Sequence, residues 1–489
     1  MPDELTNAQR RAVAGLVRIW PVADELARRF AAAGHQLHLV GGPVRDALLG
    51  RLGDDLDFCT DAHPDQTLKV LQGWAEATWE TGRDFGTIGA VRRGLRLEIT
   101  TFRADAYDRV GRRPTVRYGT SLVEDLRRRD FTVNAMAFSL PEHRFTDPYG
   151  GLRDLARRVI RTPGTPPESF GDDPLRMLRA ARFVSQLGFT VDPAVLAAIT
   201  ELAGDLRRIT AERIREEFSK LLCGADPVAG LRLLVETGLA DQFLPELPGL
   251  RLEIDEHAQH KDVYEHTLTV LRNAISYEES GEPDFVLRMA ALLHDIGKPA
   301  TKAVGPDGQV SFHHHEVVGA RLTRSRMKAL RYPKETTAAV AKLVALHLRF
   351  YGYGRGEWTD SAVRRYVTDA GELLPRLHRL TRSDVTTRNR RKAAQLAADY
   401  DALELRIDRI RAEEDLARVR PDLDGNDIMA LLGVPPGPVV GRAWRHLKEL
   451  RLERGPLSRA EAEAELFAWA RAEGVLPPET PEAATPPPA

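Results

Sequence analysis

LVGGPVRDALLGRLGDDLDFCT, residues Leu39 to Thr60, packs a strand, a glycine turn, a helix and a second strand into one short run. Leu37-His38-Leu39-Val40 reads as the first strand. Pro43 to Leu49 reads as a helix opened by proline in its first turn, where a missing N–H does no harm. Leu56-Asp57-Phe58-Cys59 reads as the next strand. In extended chain Asp55 and Asp57 point to one face, about 7 Å apart. Paired carboxylates suit Mg²⁺, which takes hard oxygen ligands, usually one or two protein carboxylates plus substrate phosphates. Gly41-Gly42 lets backbone N–H groups approach a phosphate, and the helix start adds partial positive charge. Arg45, in the first turn, can reach a triphosphate oxygen. A Gly-Gly pair alone is usually a tight turn and an Asp-x-Asp alone a solvated strand face. The ordered combination is far more specific than either.

Outward from this run, residues 36–146 have mixed texture. Thr87 to Val91 and Leu95 to Phe102 flank Arg-Arg-Gly and predict a hairpin. Leu95, Leu97 and Ile99 share one face, and Arg96, Glu98 and Thr100 the other. Glu98 is a candidate third carboxylate, with a solvated glutamate as the alternative. The first 25 residues read as a polar helix. After Asp147-Pro148-Tyr149-Gly150-Gly151 the pattern turns helical, with Leu175, Leu178, Phe183 and Leu187 on one stripe. A Pro/Gly break at Pro421–Asn426 and the run Pro435-Pro436-Gly437-Pro438 set off a small helical tail. The expected fold class is α+β: a small mixed sheet, then a long helical body. The expected divisions are a helical segment 1–35, a sheet head 36–155, a helical neck 156–245, a second helical domain 246–415, a tail 416–476 and a disordered end 477–489.

Composition narrows the classes. Lys plus Arg number 70 and Asp plus Glu 71, so no uniform basic coat for nucleic acid exists, although a local basic face can. Two cysteines, Cys59 and Cys223, exclude a disulfide framework. The start lacks a secretory apolar run, and no apolar stretch approaches membrane-spanning length. A cytoplasmic protein without a membrane partner is expected.

Three further stretches complete a pattern. LRRRDFTVNAMAF, 126–138, brings Asp130 and Asn134, the acceptor and donor that a ribose hydroxyl needs, the alternative being a helix N-terminus that Asp130 caps beside solvated arginines. FGDDPLRMLRAARFVSQLGF, 170–189, repeats Asp173, Arg176 and Arg179 every three residues, as along one helix side. An acceptor beside a donor suits cytosine and adenine, which both offer an amino group next to an acceptor atom. Together these stretches closely resemble the class II tRNA nucleotidyltransferases, that is, CCA-adding enzymes and bacterial poly(A) polymerases. The resemblance implies a polymerase-β-like nucleotidyltransferase head in which Asp55 and Asp57 hold catalytic Mg²⁺. It implies that Gly42, Arg45 and Arg129 hold the nucleotide, that Asp173 and Arg176 read the base, and that Arg179 and Arg182 support them. The family usually has Glu where Asp172 stands. The loop ADAYDRVGRRPTVRYGT, 104–120, with Arg113-Pro114, matches one needed in the family to switch from C to A addition. TAERIREEFSKLL, 210–222, matches a motif that reads as a helix holding the neck together rather than as chemistry.

A separate constellation lies downstream. His266 sits in VYEHTLTVL, His294-Asp295 in LLHDIGKP, His315 at the end of a triple histidine, His347 in ALHLRF and Asp384 in TRSDVTTRNR. Imidazoles and carboxylates together suit transition metals or Mg²⁺. The order resembles the HD phosphohydrolases. That resemblance implies core ligands His266, His294, Asp295 and Asp384, with His315 and His347 for a second ion, and a divalent metal such as Ni²⁺, Mn²⁺ or Mg²⁺. The tail sequence 422–450 resembles the C-terminal module of HD-bearing relatives; it either touches tRNA or only packs. The expected activity is template-independent CCA addition to tRNA from CTP and ATP, with a metal-dependent HD hydrolase. The alternatives are a poly(A) polymerase on the same scaffold, or an HD nucleotide phosphohydrolase with a regulatory nucleotide-binding head.

Overall fold

The computed structural model describes residues 7–477 except 105–116, 120, 253–254, 257–258, 261, 280, 307–308, 351–352, 354–357, 388 and 415–421. The chain forms two compact units, Met1–Pro248 and Gly249–Ala489. No helix among the described residues is long and apolar enough to cross a membrane. Most of the loop at 104–120, including Arg113-Pro114, lies outside the described residues.

The first unit opens with α1 (Asn7–Ala32), β1 (Leu37–Val40), α2 (Gly42–Leu48), β2 (Asp55–Thr60), α3 (Pro64–Leu71), β3 (Ala77–Trp79), β4 (Thr87–Arg92) and β5 (Leu95–Thr101). The sheet runs β3-β4-β5-β2-β1, then Ala137–Leu140 and Arg144–Thr146. Within this sheet, among the described residues, only β2 and β5 pair in parallel. Alternation along β5 is the predicted one: Leu95, Leu97 and Ile99 are buried while Arg96 and Glu98 are exposed. With Leu39, Leu56, Phe58, Ile88 and Ala90 they build a core on one side of the sheet. Asp55, Asp57, Arg96 and Glu98 share the other side by pleat and register.

The N-terminal helix differs from the expected polar helix over the first 25 residues. It extends to Ala32 and carries a buried stripe of Leu16, Ile19, Ala23, Leu26 and Phe30. These recur at helical spacing, so α1 lies against the sheet rather than in solvent. Arg29 Nε donates to the Val70 carbonyl at 2.9 Å, tying α1 to the end of α3.

Next come α4 (Leu122–Arg127), α5 (Gly151–Arg157), α6 (Pro166–Asp172) and α7 (Leu175–Leu187). Helices Pro193–Leu202, Ala211–Leu222 and Pro227–Glu236 close the unit. Leu175, Leu178 and Phe183 are buried as predicted, whereas Leu187 is only half-buried, and Met177, Ala180 and Ala181 widen the stripe. The second unit is helical, from Val263–Ser276 to Arg390–Glu414, followed by tail helices Gly425–Leu432, Pro438–Arg454 and Arg459–Ala472. The tail has its own core of Leu423, Ile428, Leu447, Leu450 and Leu466.

Candidate functional site

Parallel pairing of β2 with β5 sets Asp55 beside Arg96 and Asp57 beside Glu98. The Asp55 side chain is 86% exposed, and its Oδ1 lies 3.9 Å from Arg96 Nε. Asp57 is more enclosed. Burial pushes its carboxyl up to about 6; Arg129 and Arg45 pull it down, and Glu98 and Asp55 push it up. At the end of β1, Gly41 adopts φ 74, a conformation that favours glycine. A Cβ there would also stand 2.8 Å from Arg129 Nη1 and 3.6 Å from Asp57 Oδ2. The glycine turn, Asp57 and Arg129 therefore converge on one point, with Asp55 open to solvent beside it. An enclosed carboxylate beside Asp55 and Glu98 offers hard oxygen ligands, which fits a divalent cation carried in with a phosphate ligand.

Behind this point runs a buried polar chain. Arg45 Nη1 donates to Asn134 Oδ1 at 2.6 Å, and its Nε and Nη2 donate to the Asp46 carboxylate at 3.0 and 2.7 Å. Its guanidinium is thus engaged within the protein, although Nη2 stays close to Gly42. Asn134 Nδ2 donates to Asp130 Oδ1 at 2.9 Å, and Arg179 Nε donates to Asp130 Oδ2 at 2.8 Å. Burial alone would raise the Asp130 carboxyl, but Arg179 and Asn134 hold it well below the usual carboxylate range. Arg182 pairs with the buried Glu217 at 2.6 Å. Arg45, Arg179 and Arg182 surround the Phe183 ring, 5.1, 5.9 and 4.2 Å from its centroid.

The pair Asp173 and Arg176 is placed differently from expectation. Asp173 does not share a helix side with Arg176 and Arg179, because Pro174 intervenes and α7 begins only at Leu175. Asp173 sits at the junction with α6, where its Oδ1 accepts the Leu175 N–H at 3.2 Å. Its Oδ2 accepts from Arg213 Nη2 at 2.7 Å. Arg176 donates to the Ser169 carbonyl at 3.2 Å, to Ser169 Oγ at 2.9 Å and to the Arg128 carbonyl. Arg213 was not among the predicted residues. It belongs to the helix read as purely structural, and its pairing across 40 residues leaves no local sequence signal.

In the second unit the six predicted residues come together. His266, His294 and Asp384 form one group, and Asp295, His315 and His347 another, each with ligand atoms within 4.8 Å of one another. Asp295 bridges them: its Oδ2 lies 3.2 Å from His294 Nε2 and its Oδ1 lies 3.3 Å from His315 Nε2. Asp384 Oδ1 lies 2.9 Å from His266 Nε2. The imidazoles are oriented from behind. Nδ1 of His294, His315 and His347 meets the carbonyls of Ala291, Phe312 and Val344 at 2.9, 2.8 and 2.6 Å, and His266 Nδ1 meets Thr386 Oγ1 at 3.0 Å. Such bonds fix the tautomer that leaves Nε2 to bind. Nε2 of His294, His315 and His347 is buried in each case without a hydrogen-bond partner among the described residues. Orphaned buried acceptors facing one another fit divalent metal.

Burial lowers the His347 pKa to about 4 and also lowers that of His266. His294 is also penalised by burial, but Asp295 and Asp384 outweigh it and raise its pKa. Asp295 is held well below the usual range by His294, His315 and Lys298 despite burial. Lys298, whose Nζ lies 2.8 Å from Asp295 Oδ2, was also missed, although the LLHDIGKP motif contains it. Gly297 lets the helix of His315 approach, since a Cβ there would lie 2.1 Å from the His315 carbonyl oxygen.

A tRNA nucleotidyltransferase of Deinococcus radiodurans, named as A-adding, is 36% identical over 447 residues, covering 88% of this chain and 95% of that protein. The chain belongs to the tRNA nucleotidyltransferase family. The model of the poly A polymerase head domain matches residues 37–161, which hold Gly41, Asp55, Asp57, Glu98, Arg129 and Asn134. The model described as "Probable RNA and SrmB-binding site of polymerase A" matches 188–250, which holds Arg213, and the HD domain model matches 263–404, which holds all six metal-ligand candidates. A CCA-adding enzyme of Geobacillus sp. is 42% identical over 228 residues, 46% of this chain and 55% of that protein. The fold matches a crystal structure of the Bacillus stearothermophilus CCA-adding enzyme in complex with CTP, with TM-score 0.67, 24% identity and 96% and 99% of the two chains covered. As a tRNA nucleotidyltransferase with an HD domain, the chain carries two sites that each imply divalent metal.

Proposed function

We propose that this tRNA nucleotidyltransferase adds CCA to tRNA 3′ ends from CTP and ATP, without a nucleic-acid template, in the cytoplasm. The reading is carried by the convergence of the Gly41 turn, Asp57 and Arg129 beside Asp55. Asp55 and Asp57 would hold Mg²⁺, which when bound supplies charge neutralisation and lowers the pKa of the attacking hydroxyl. The tRNA 3′ oxygen attacks the α-phosphate, the bond to the β-phosphate breaks, and pyrophosphate leaves. Backbone N–H groups at Gly41 and Gly42, with Arg129, steady the phosphates and orient the transfer. Arg45 steadies the Gly42 end from behind. Asp130 and Asn134 face the sugar. Asp173 accepts from the amino group that cytosine and adenine share, and Arg176 donates to the neighbouring ring acceptor, with Arg179 and Arg182 bracing them.

Addition of the terminal A alone is the second reading, favoured by the full-length likeness to the A-adding relative. The test is incubation of tRNAs ending before CCA and after CC with labelled CTP and ATP, with products read by length. Completed CCA on the first substrate supports the main reading. Extension of only the CC-ended tRNA supports the second, and long A ladders would support a poly(A) polymerase. The HD cluster is proposed as a phosphohydrolase using Ni²⁺, Mn²⁺ or Mg²⁺. Its proposed targets are 3′-phosphate or 2′,3′-cyclic phosphate ends, which lack the free 3′ hydroxyl that addition needs.

A further inference from the structure

Strand by strand, the polar face of the sheet runs outward from the carboxylates: Asp57 beside Glu98, Glu98 beside Gly89, Gly89 beside Trp79. At Gly89 a Cβ would lie 1.9 Å from Trp79 Cε2, so the indole lies down on the bare strand. Arg96 spans the gap back to the metal side. Its guanidinium carbon is 5.7 Å from the Trp79 ring centroid, and its Nε is 3.9 Å from Asp55 Oδ1. Together with Phe85, Thr87 and Glu98 these residues line an open cavity of about 620 Å³. Phe85, at its rim, is 50% exposed. None of the chemistry described above uses Trp79, Arg96 or Phe85.

We propose that this shelf seats the 3′-terminal nucleoside of the RNA acceptor, its base on Trp79 and its phosphate toward Arg96. The inference rests on the nucleotide-addition reading and adds the acceptor's position to it. Phosphoryl transfer needs attacking and leaving oxygens roughly in line. Gly41 and Arg129, which hold the incoming triphosphate in that reading, lie on the β1 side of Asp57. The attacking hydroxyl therefore comes from the opposite side, across β5 and β4, where the cavity lies. The acceptor's last base also changes with every addition. An aromatic plane accepts any base, because every base has a π-face, whereas hydrogen-bond readout would have to be rebuilt at each step. The cavity also falls within the volume of about 300–1,000 Å³ usual for small-ligand pockets.

The test uses the full-length protein and an acceptor-stem hairpin with 2-aminopurine as its 3′-terminal base. Binding to the wild type quenches the fluorophore. In Trp79→Ala the quench is lost and kcat/KM for the RNA falls about tenfold, the loss expected from one stacked base, while KM for CTP and ATP is unchanged. Trp79→Phe restores most of the quench and the rate. Gly89→Ala, which displaces the indole without removing it, behaves like Trp79→Ala. Should Trp79→Ala fail to fold, Gly89→Ala and Arg96→Ala carry the same comparison. A wild-type quench in Trp79→Ala with unchanged kcat/KM for the RNA overturns the shelf, as does an equal rise in KM for RNA and nucleotide. A wild type that transfers no nucleotide overturns the addition reading instead, and the quench, which requires no chemistry, still decides the shelf.

Discussion

The two carboxylate-bearing sites solve opposite electrostatic problems. In the head, Asp55 stands in solvent, and Asp57 is buried, with Glu98 and Asp55 adding to the effect, so that its carboxyl resists ionisation. In the HD unit, Asp295 and Asp384 are enclosed by imidazoles and Lys298, and both are held below their usual range against the pull of burial. The HD ligand atoms form two groups of three, each within 4.8 Å, and among the described residues the three head carboxylates form no such group. An open, unsatisfied carboxylate group suits an ion that arrives and leaves with each nucleotide. A closed set of oriented imidazoles suits an ion that stays, because ligand geometry and desolvation are settled before binding.

Substitutions can break this contrast. The largest effect is expected from Asp55→Ala, which should lower addition of both C and A at least about 1,000-fold by removing a metal ligand. Asp55 is exposed, so folding and tRNA binding should hold; incorporation of labelled CTP and ATP is the measurement. Strong residual incorporation would show that the head does not use this carboxylate.

The converse change is His294→Ala or Asp295→Ala. Either should cost about 100-fold or more in metal-dependent hydrolysis of a 2′,3′-cyclic nucleotide or of p-nitrophenyl phosphate, assayed across Mg²⁺, Mn²⁺, Co²⁺ and Ni²⁺. Addition to intact tRNA should stay within twofold. If metal-loaded wild type hydrolyses neither compound, the cluster is a structural relic.

A third test sharpens the electrostatics. The folded pKa of Asp57 is raised, from 3.8 to about 6. The fold therefore favours the protonated form, and this contribution is lost as pH rises from about 4 through 6. Asp57→Asn should stabilise the metal-free protein at pH 7 by on the order of 3 kcal/mol, with the gain vanishing below pH 4. Denaturation across that range checks it; an Asn variant no more stable than wild type at pH 7 contradicts the strain. In the HD unit His347 has the opposite sign. Its lowered pKa gives stability that is present above its ordinary value and lost as pH falls towards 4.

The smallest effect concerns base choice. Arg213→Ala leaves Asp173 without its ion-pair partner. Discrimination of CTP against UTP should relax about fivefold, the scale of a partly exposed charged hydrogen bond. Asp173→Ala should relax it further. Unchanged selectivity in both variants would count against base reading at this junction.

The strand–turn–helix–strand run at Leu37 to Thr60 was legible because glycine and proline punctuate it and apolar residues alternate. The six HD residues were legible as a set because their order carries the pattern, and the fold brings them together. The reach of α1 was missed because Ala and Arg dilute a stripe that only tertiary packing completes. Strand Ala77–Trp79 has three residues, too few for alternation to register. Asp173 was misplaced because spacing was counted through Pro174. Arg213 and Lys298 were missed because their roles depend on partners that come close only in space.

Asp130 has a consequence for how the head behaves as a machine. One oxygen of this carboxylate is tied through Asn134 to Arg45 in α2, and the other to Arg179 in α7. The helix that begins at the glycine turn and the helix that begins beside Asp173 thus share a single axle. Neither helix can tilt without loading the other. If the proposed site roles hold, a change of fit at the base would be transmitted as torque to the grip on the triphosphate, and a wrong base would be punished in rate as well as in affinity.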